Sequence, residues 1–92
     1  MLDPRIHAVR PDLADVRLAE RVFAPHYAAP VPRQVERAVA LRSSRDASAE
    51  TLAMLAPGDT YELLDLVGDD GWGIAVGQGL VGYIDAAALR PA

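Results

Sequence analysis

All seven glycines of this 92-residue chain fall between Gly58 and Gly82, while five of its seven prolines fall between Pro4 and Pro32. Glycine supplies turn conformations that other residues resist, whereas proline blocks ladders and helix interiors. The first third is therefore barred from forming one long element, and the second half is cut into short pieces by reversals. Ala56-Pro57-Gly58-Asp59, Gly68-Asp69-Asp70-Gly71 and Gly77-Gln78-Gly79 are the turn signals. Between them stand Thr60 to Val67, Trp72 to Val76 and Leu80 to Ile84, with Thr51 to Leu55 before the first turn. Short strands joined by tight turns predict a mainly β chain, a small antiparallel barrel or sandwich. Asp85 followed by three alanines predicts an N-cap and a single helical turn before Leu89. Asp46 to Leu55 also carries enough alanine for a helix; a strand is preferred because pairing commonly overrides propensity.

The first half reads differently. Asp12 to Glu20 is predicted to be a short helix: Pro11 and Asp12 give a start signal, Asp15 stands where a capping partner belongs, and Leu13 and Val16 share a face. At about two turns it needs tertiary support. Arg21 to Ala28 reads as a strand interrupted by Pro25, hence an edge or bulged one. Pro30-Val31-Pro32 reads as a stiff connector and Gln34 to Leu41 as a further strand. The chain divides on this reading into an arm, 1–20, and a β domain, 21–92.

Composition narrows the function classes. Of the apolar residues 17 are Ala, so the larger side chains suffice for one core and leave little for a deep catalytic cleft. There is no Cys, which excludes disulfides, thiolate metal sites and Cys nucleophiles. The charged, Pro-punctuated start lacks the apolar run of a signal peptide, and no stretch reaches the length of a membrane span, so the expectation is a cytoplasmic protein with no membrane partner. Residues 1–46 hold eight Arg against six acids, whereas residues 47–92 hold one Arg against seven acids. No basic stripe exists, which disfavours nucleic acid. The acidic half either attracts a cationic ligand or is a solvated face, the blander and preferred reading.

From Ala40 onward the chain resembles bacterial SH3-like (SH3b) domains in the order and spacing of four pieces. Ala40-Leu41-Arg42 stands for the opening strand, and Leu55-Ala56-Pro57-Gly58-Asp59 for the diverging turn. Gly71-Trp72-Gly73-Ile74-Ala75 stands for the Trp-bearing central strand, and Gly82-Tyr83-Ile84-Asp85-Ala86-Ala87-Ala88-Leu89 for the closing strand and turn. Leu2-Asp3-Pro4-Arg5, Arg10-Pro11-Asp12-Leu13-Ala14-Asp15 and Arg21-Val22-Phe23-Ala24-Pro25 resemble the leader before the SH3-like domain of NlpC/P60 cysteine peptidases. The resemblance implies an SH3-like barrel with an N-terminal arm. It also implies a non-catalytic role beside a papain-like domain that cleaves γ-D-glutamyl bonds in cell-wall peptides. The partners implied are that catalytic domain in the same parent chain and a murein-derived peptide; catalytic residues, metal and cofactor are all expected to be absent here.

Three side chains are candidates for ligand contact. Asp59 matches, on the resemblance, an acid that meets the peptide's free amine, by charge-assisted hydrogen bonding; Asp also serves turns well. Leu80 and Gln78 stand where that family has Tyr and Asp, a departure from its amine site. Trp72 could line a groove or pack in the barrel, and Tyr83 likewise. His7 and His26 lie nineteen residues apart with no further ligands in a metal-binding spacing, so no metal site is read. Ser43-Ser44 with His26 and Asp46 lacks a nucleophile elbow and is not read as a triad. The competing function is a free-standing interaction module, forming a weak homodimer through an edge strand such as the one marked by Pro25. Proline-rich ligands are disfavoured, because only five aromatics exist and Leu41-Arg42-Ser43-Ser44 offers no ridge.

Overall fold

The computed structural model of the chain describes residues 5–10, 12–18, 26–46 and 48–92. The chain is mainly β. Two short strands, β1 (Leu13–Asp15) and β2 (His26–Ala28), pair with each other in parallel. The remaining seven are β3 (Val31–Val35), β4 (Val39–Arg42), β5 (Thr51–Leu55), β6 (Thr60–Val67), β7 (Asp70–Ala75), β8 (Leu80–Asp85) and β9 (Leu89–Pro91). They form one antiparallel sheet in the order β5-β4-β8-β7-β6-β3-β9. Among the described residues the end strands β5 and β9 do not pair, so the ladder there is open and the expected closed barrel is not formed. The sheet nevertheless curls upon itself, because Leu55 from one end shares a core with Val35 and Leu89 from the other.

The turn at Pro57-Gly58 acts as expected, whereas in Gly68-Asp69-Asp70-Gly71 only Gly68 and Asp69 turn and Asp70 already begins β7. Thr51 to Leu55 is a strand, and Thr60 to Val67 is β6 with the bounds read from the sequence. Asp85 accepts a hydrogen bond from the Ala87 N–H at 3.0 Å and starts a 3-10 turn, Ala86–Ala88, that delivers Ala88 fully buried into the core. Two glycines are required by close approach. A Cβ at Gly73 would lie 2.0 Å from the Glu62 carbonyl oxygen, and one at Gly82 would lie 2.6 Å from that of Arg42. At Gly82 β4 crosses against β8, where the ladder narrows to one pair, Arg42 with Tyr83.

The sheet has two apolar faces, and β6, which contributes to both, carries a bulge. Leu63 pairs with Gly73 and Asp65 with Trp72, leaving Leu64 as the extra residue. Tyr61 and Leu63 thus face the inner core with Leu41, Leu55 and Ile84, while Leu64 joins Trp72 and Val81 on the outer face. The Tyr61 hydroxyl, fully buried, donates to the Gly82 carbonyl at 2.8 Å and approaches that of Gly71 at 3.3 Å. Burial pushes its phenol well above the ordinary value.

The arm departs from expectation. The helix expected over Asp12 to Glu20 is not formed where the chain is described. Leu13–Asp15 is strand β1 and Val16–Leu18 a single 3-10 turn. Helix was a weak local preference; backbone bonds from β2 and from the preceding segment replace it, including Asp15 N–H to the Ala8 carbonyl at 2.9 Å. Asp15 is not the partner of a helix begun at Asp12 but a buried carboxylate that accepts the Arg17 backbone N–H at the start of the 3-10 turn and pairs with the Arg17 guanidinium. The strand expected over Arg21 to Ala28 is described only from His26 onward, and the arm boundary at residues 20 and 21 lies outside the described residues. Pro30-Val31-Pro32 is not merely a connector, since Val31 and Pro32 belong to β3. Proline fits there because β9 flanks β3 only from Arg33 onward, so at Pro32 the strand is still an edge.

Candidate functional site

An open groove of about 740 Å³ lies at the end of the sheet where β4, the β6–β7 turn and the last 3-10 turn converge. Its apolar lining comes from Val39, Leu66, Ala86 and Ala87. Its polar lining is Arg42, Asp69, Asp70 and Asp85. The register creates a conflict here: Asp70 and Asp85 are directly opposite each other across β7 and β8. Like charges so placed repel, and three arginines answer them. Arg42 reaches Asp70 at 2.6 Å and Arg45 reaches its other oxygen at 3.0 Å. Arg37 reaches Asp85 at 2.8 Å. The Ala87 N–H, and with it Arg37, holds the Asp85 carboxyl below the usual carboxylate range.

The pairing extends beyond the groove. Arg10 bonds Asp65 at 2.8 Å and Arg17 bonds Glu62 at 2.7 Å, so five arginines of the first half neutralise acids of the second. Burial disfavours the Arg10 charge, but the hydrogen bonds that Arg10 donates to Asp65 and Asp12 outweigh it and raise its pKa. The acidic half therefore spends much of its field within the molecule. A cation that meets Asp70 or Asp85 must displace an arginine or share the carboxylate with one, so these paired groups suit a ligand bearing both signs of charge.

The three candidates from the sequence are not brought to one place. Asp59 closes its own turn: its carboxylate accepts the Ala56 N–H at 2.8 Å and approaches the Gln78 amide at 3.4 Å. Trp72 and Tyr83 are cross-strand neighbours, but Asp59 lies six residues before Asp65, the partner of Trp72. At ~3.3 Å per residue that is about 20 Å away. Trp72 is only 3% exposed, packed with Ala8 of the arm and covered by the Arg10 guanidinium 4.6 Å from its ring centre. Tyr83 is half-buried and lines a second recess of about 480 Å³ between sheet and arm, with Arg10, Asp12 and Asp65. The groove residues Asp69, Asp70 and Asp85 were visible in the sequence only as turn and cap residues; the register that sets them together was not.

His26 is exposed on β2. The Nδ1 of His7 is buried without a hydrogen-bond partner among the described residues. Among those residues no three His, Cys, Asp or Glu side chains gather to hold a metal ion, and no helix is long and apolar enough to cross a membrane. Compared with known proteins, the chain matches no protein-family model, no curated protein and no solved structure.

Proposed function

We propose that this chain is a non-catalytic SH3-like module that holds a cell-wall-derived peptide for an NlpC/P60-type peptidase domain of the same parent protein. The observation that carries the reading is the groove flanked by β4, the β6–β7 turn and the 3-10 turn, with paired arginines and carboxylates over an apolar lining. Murein peptides carry free amines and carboxylates on a small aliphatic backbone, so both kinds of group find a counterpart. The fold supports the SH3-like reading through the order of its parts. A hairpin precedes the Pro57-Gly58 turn, a three-strand meander carries Trp72 on its middle strand, and one 3-10 turn leads into a short last strand. One alignment shifts: Ala40-Leu41-Arg42 is the first arm of a hairpin, and the strand that opens the sheet is β3. The nucleophile and base are supplied by the partner domain, since a chain without Cys has no thiolate to offer. The reading places the protein in the cytoplasm, among enzymes that recycle murein peptides.

The test is an amide NMR titration with L-Ala-γ-D-Glu-diaminopimelate. Shifts concentrated at Gly68, Asp69, Asp70 and Ala86, and absent at Gln78, are expected. Silence at the groove at millimolar peptide, or shifts gathered instead around Asp59, would refute it.

A further inference from the structure

The two ends of the open sheet are protected very unequally. At one end β9 is three residues long and presents Arg90 and Pro91, both exposed. A charge and a missing donor are devices that keep an edge strand from pairing. At the other end β5 reads Thr-Leu-Ala-Met-Leu, with no charge and no proline. Met54 is 62% exposed there, more than any other large apolar residue described. Among the described residues no strand pairs with β5 on the side away from β4.

We infer that β5 is the edge at which a second copy of this chain adds to the sheet. The occupant follows from charge and symmetry. Antiparallel self-pairing about Ala53 sets Thr51 against Leu55 and Leu52 against Met54, so uncharged residues meet uncharged residues throughout the strand. Glu50 falls against Ala56, and no like charges are opposed across that stretch. A two-fold arrangement satisfies both copies at once and stops at the dimer. Between Leu41 and Arg42 the register with β5 shifts, leaving Leu52 as an extra residue and Ala53 to Leu55 as the regular stretch. Such an edge buries far less than the ~1,200–2,000 Å² of stable interfaces, so the association is weak and shows at high concentration. This inference is independent of the peptide-holding reading, which is tested at the groove with peptide.

Sedimentation equilibrium from tens of micromolar to about 1 mM is the test, a range suited to so small an interface. The weight-average mass of the wild type rises from that of the monomer toward that of the dimer, and hydrogen exchange in residues 51–55 slows with concentration. Met54→Glu, at an exposed site, keeps the circular dichroism of the wild type and stays monomeric throughout, whereas Met54→Leu still associates. A wild type that remains monomeric at the highest concentration overturns the inference. So does a Met54→Glu chain that associates as the wild type does.

Discussion

On the inner face of the sheet, Tyr61, Leu41, Leu55, Ile84 and Val35 come from five strands of one continuous ladder and are all but inaccessible. On the outer face, Trp72, Leu64 and Val81 are covered by Ala8 and Leu13, which belong to an arm more than fifty residues away in sequence. The inner face is closed by curvature, with each side chain held by neighbours whose backbones are paired. The outer face is closed by a strap tied down at a few points: Val81 N–H to the Arg5 carbonyl at 2.6 Å, Arg10 to Asp65, and Arg17 to Glu62. The difference separates two kinds of burial. One is intrinsic to the sheet, while the other depends on a segment that can open by itself.

The largest expected effect tests the inner face. Tyr61→Ala removes the biggest fully buried side chain and leaves a cavity, costing about 3–5 kcal/mol by analogy with other aromatic truncations. Denaturant unfolding should show the loss as a shift of the whole transition. A shift of well under 1 kcal/mol would mean that the curled sheet is not the principal core.

The second prediction tests whether the strap is separate. Arg10→Ala removes a partly buried ion pair with Asp65 and the contact over Trp72, at a cost of about 1–2 kcal/mol. Hydrogen exchange should quicken at the Val81 and Asp15 amides, whose acceptors lie in the arm, while the inner strands keep their protection. Uniform acceleration would show one cooperative unit and erase the distinction.

A third prediction uses pH against the inner face alone. The Tyr61 phenol is pushed up by burial, so the folded state holds its proton more tightly than the unfolded state does. Its contribution is complete below the unfolded value of about 10 and is lost as pH rises above it toward the folded value. Tyr61→Phe removes that alkaline limb. It also strips the Gly82 carbonyl of a buried donor, for about 1 kcal/mol at neutral pH. Equal alkaline sensitivity in both proteins would assign that limb to other groups.

The same two regions differ in how far the sequence announced them. Strands β5 and β6, the turn at Pro57-Gly58 and the Asp85 cap were legible because their signals are local: glycine, proline and a capping side chain act on their immediate neighbours. The arm was misread as helical because Leu13 to Asp15 takes its conformation from β2 and from Ala8, partners no local pattern reveals. Asp15 does accept a backbone N–H, that of Arg17 at the start of a 3-10 turn, but it is also the buried partner of the Arg17 guanidinium, which no local pattern announced. The groove was legible only in its parts. That Asp70 and Asp85 face each other follows from the β7–β8 register set by the short turn through Gly77-Gln78-Gly79, which the residues themselves do not display. Trp72 was recognised as a central-strand residue, but the arm that covers it decides what it touches.

The smallest effect concerns the rim where the inner core meets the groove. The Asp85 carboxyl is held below the usual range first by the Ala87 N–H and then by Arg37, and the turn it caps buries Ala88. A depressed carboxylate stabilises the fold fully above its unfolded value of about 4, and that contribution fades as pH falls through the lower folded value. Asp85→Asn keeps an oxygen to cap the turn and loses the charge, so at neutral pH the cost is small, as exposed ion pairs are. The gap between wild type and variant should therefore close as the pH drops from 7 toward 2. Thermal midpoints across that range decide it. Parallel curves for wild type and Asp85→Asn would remove Asp85 from the acid response.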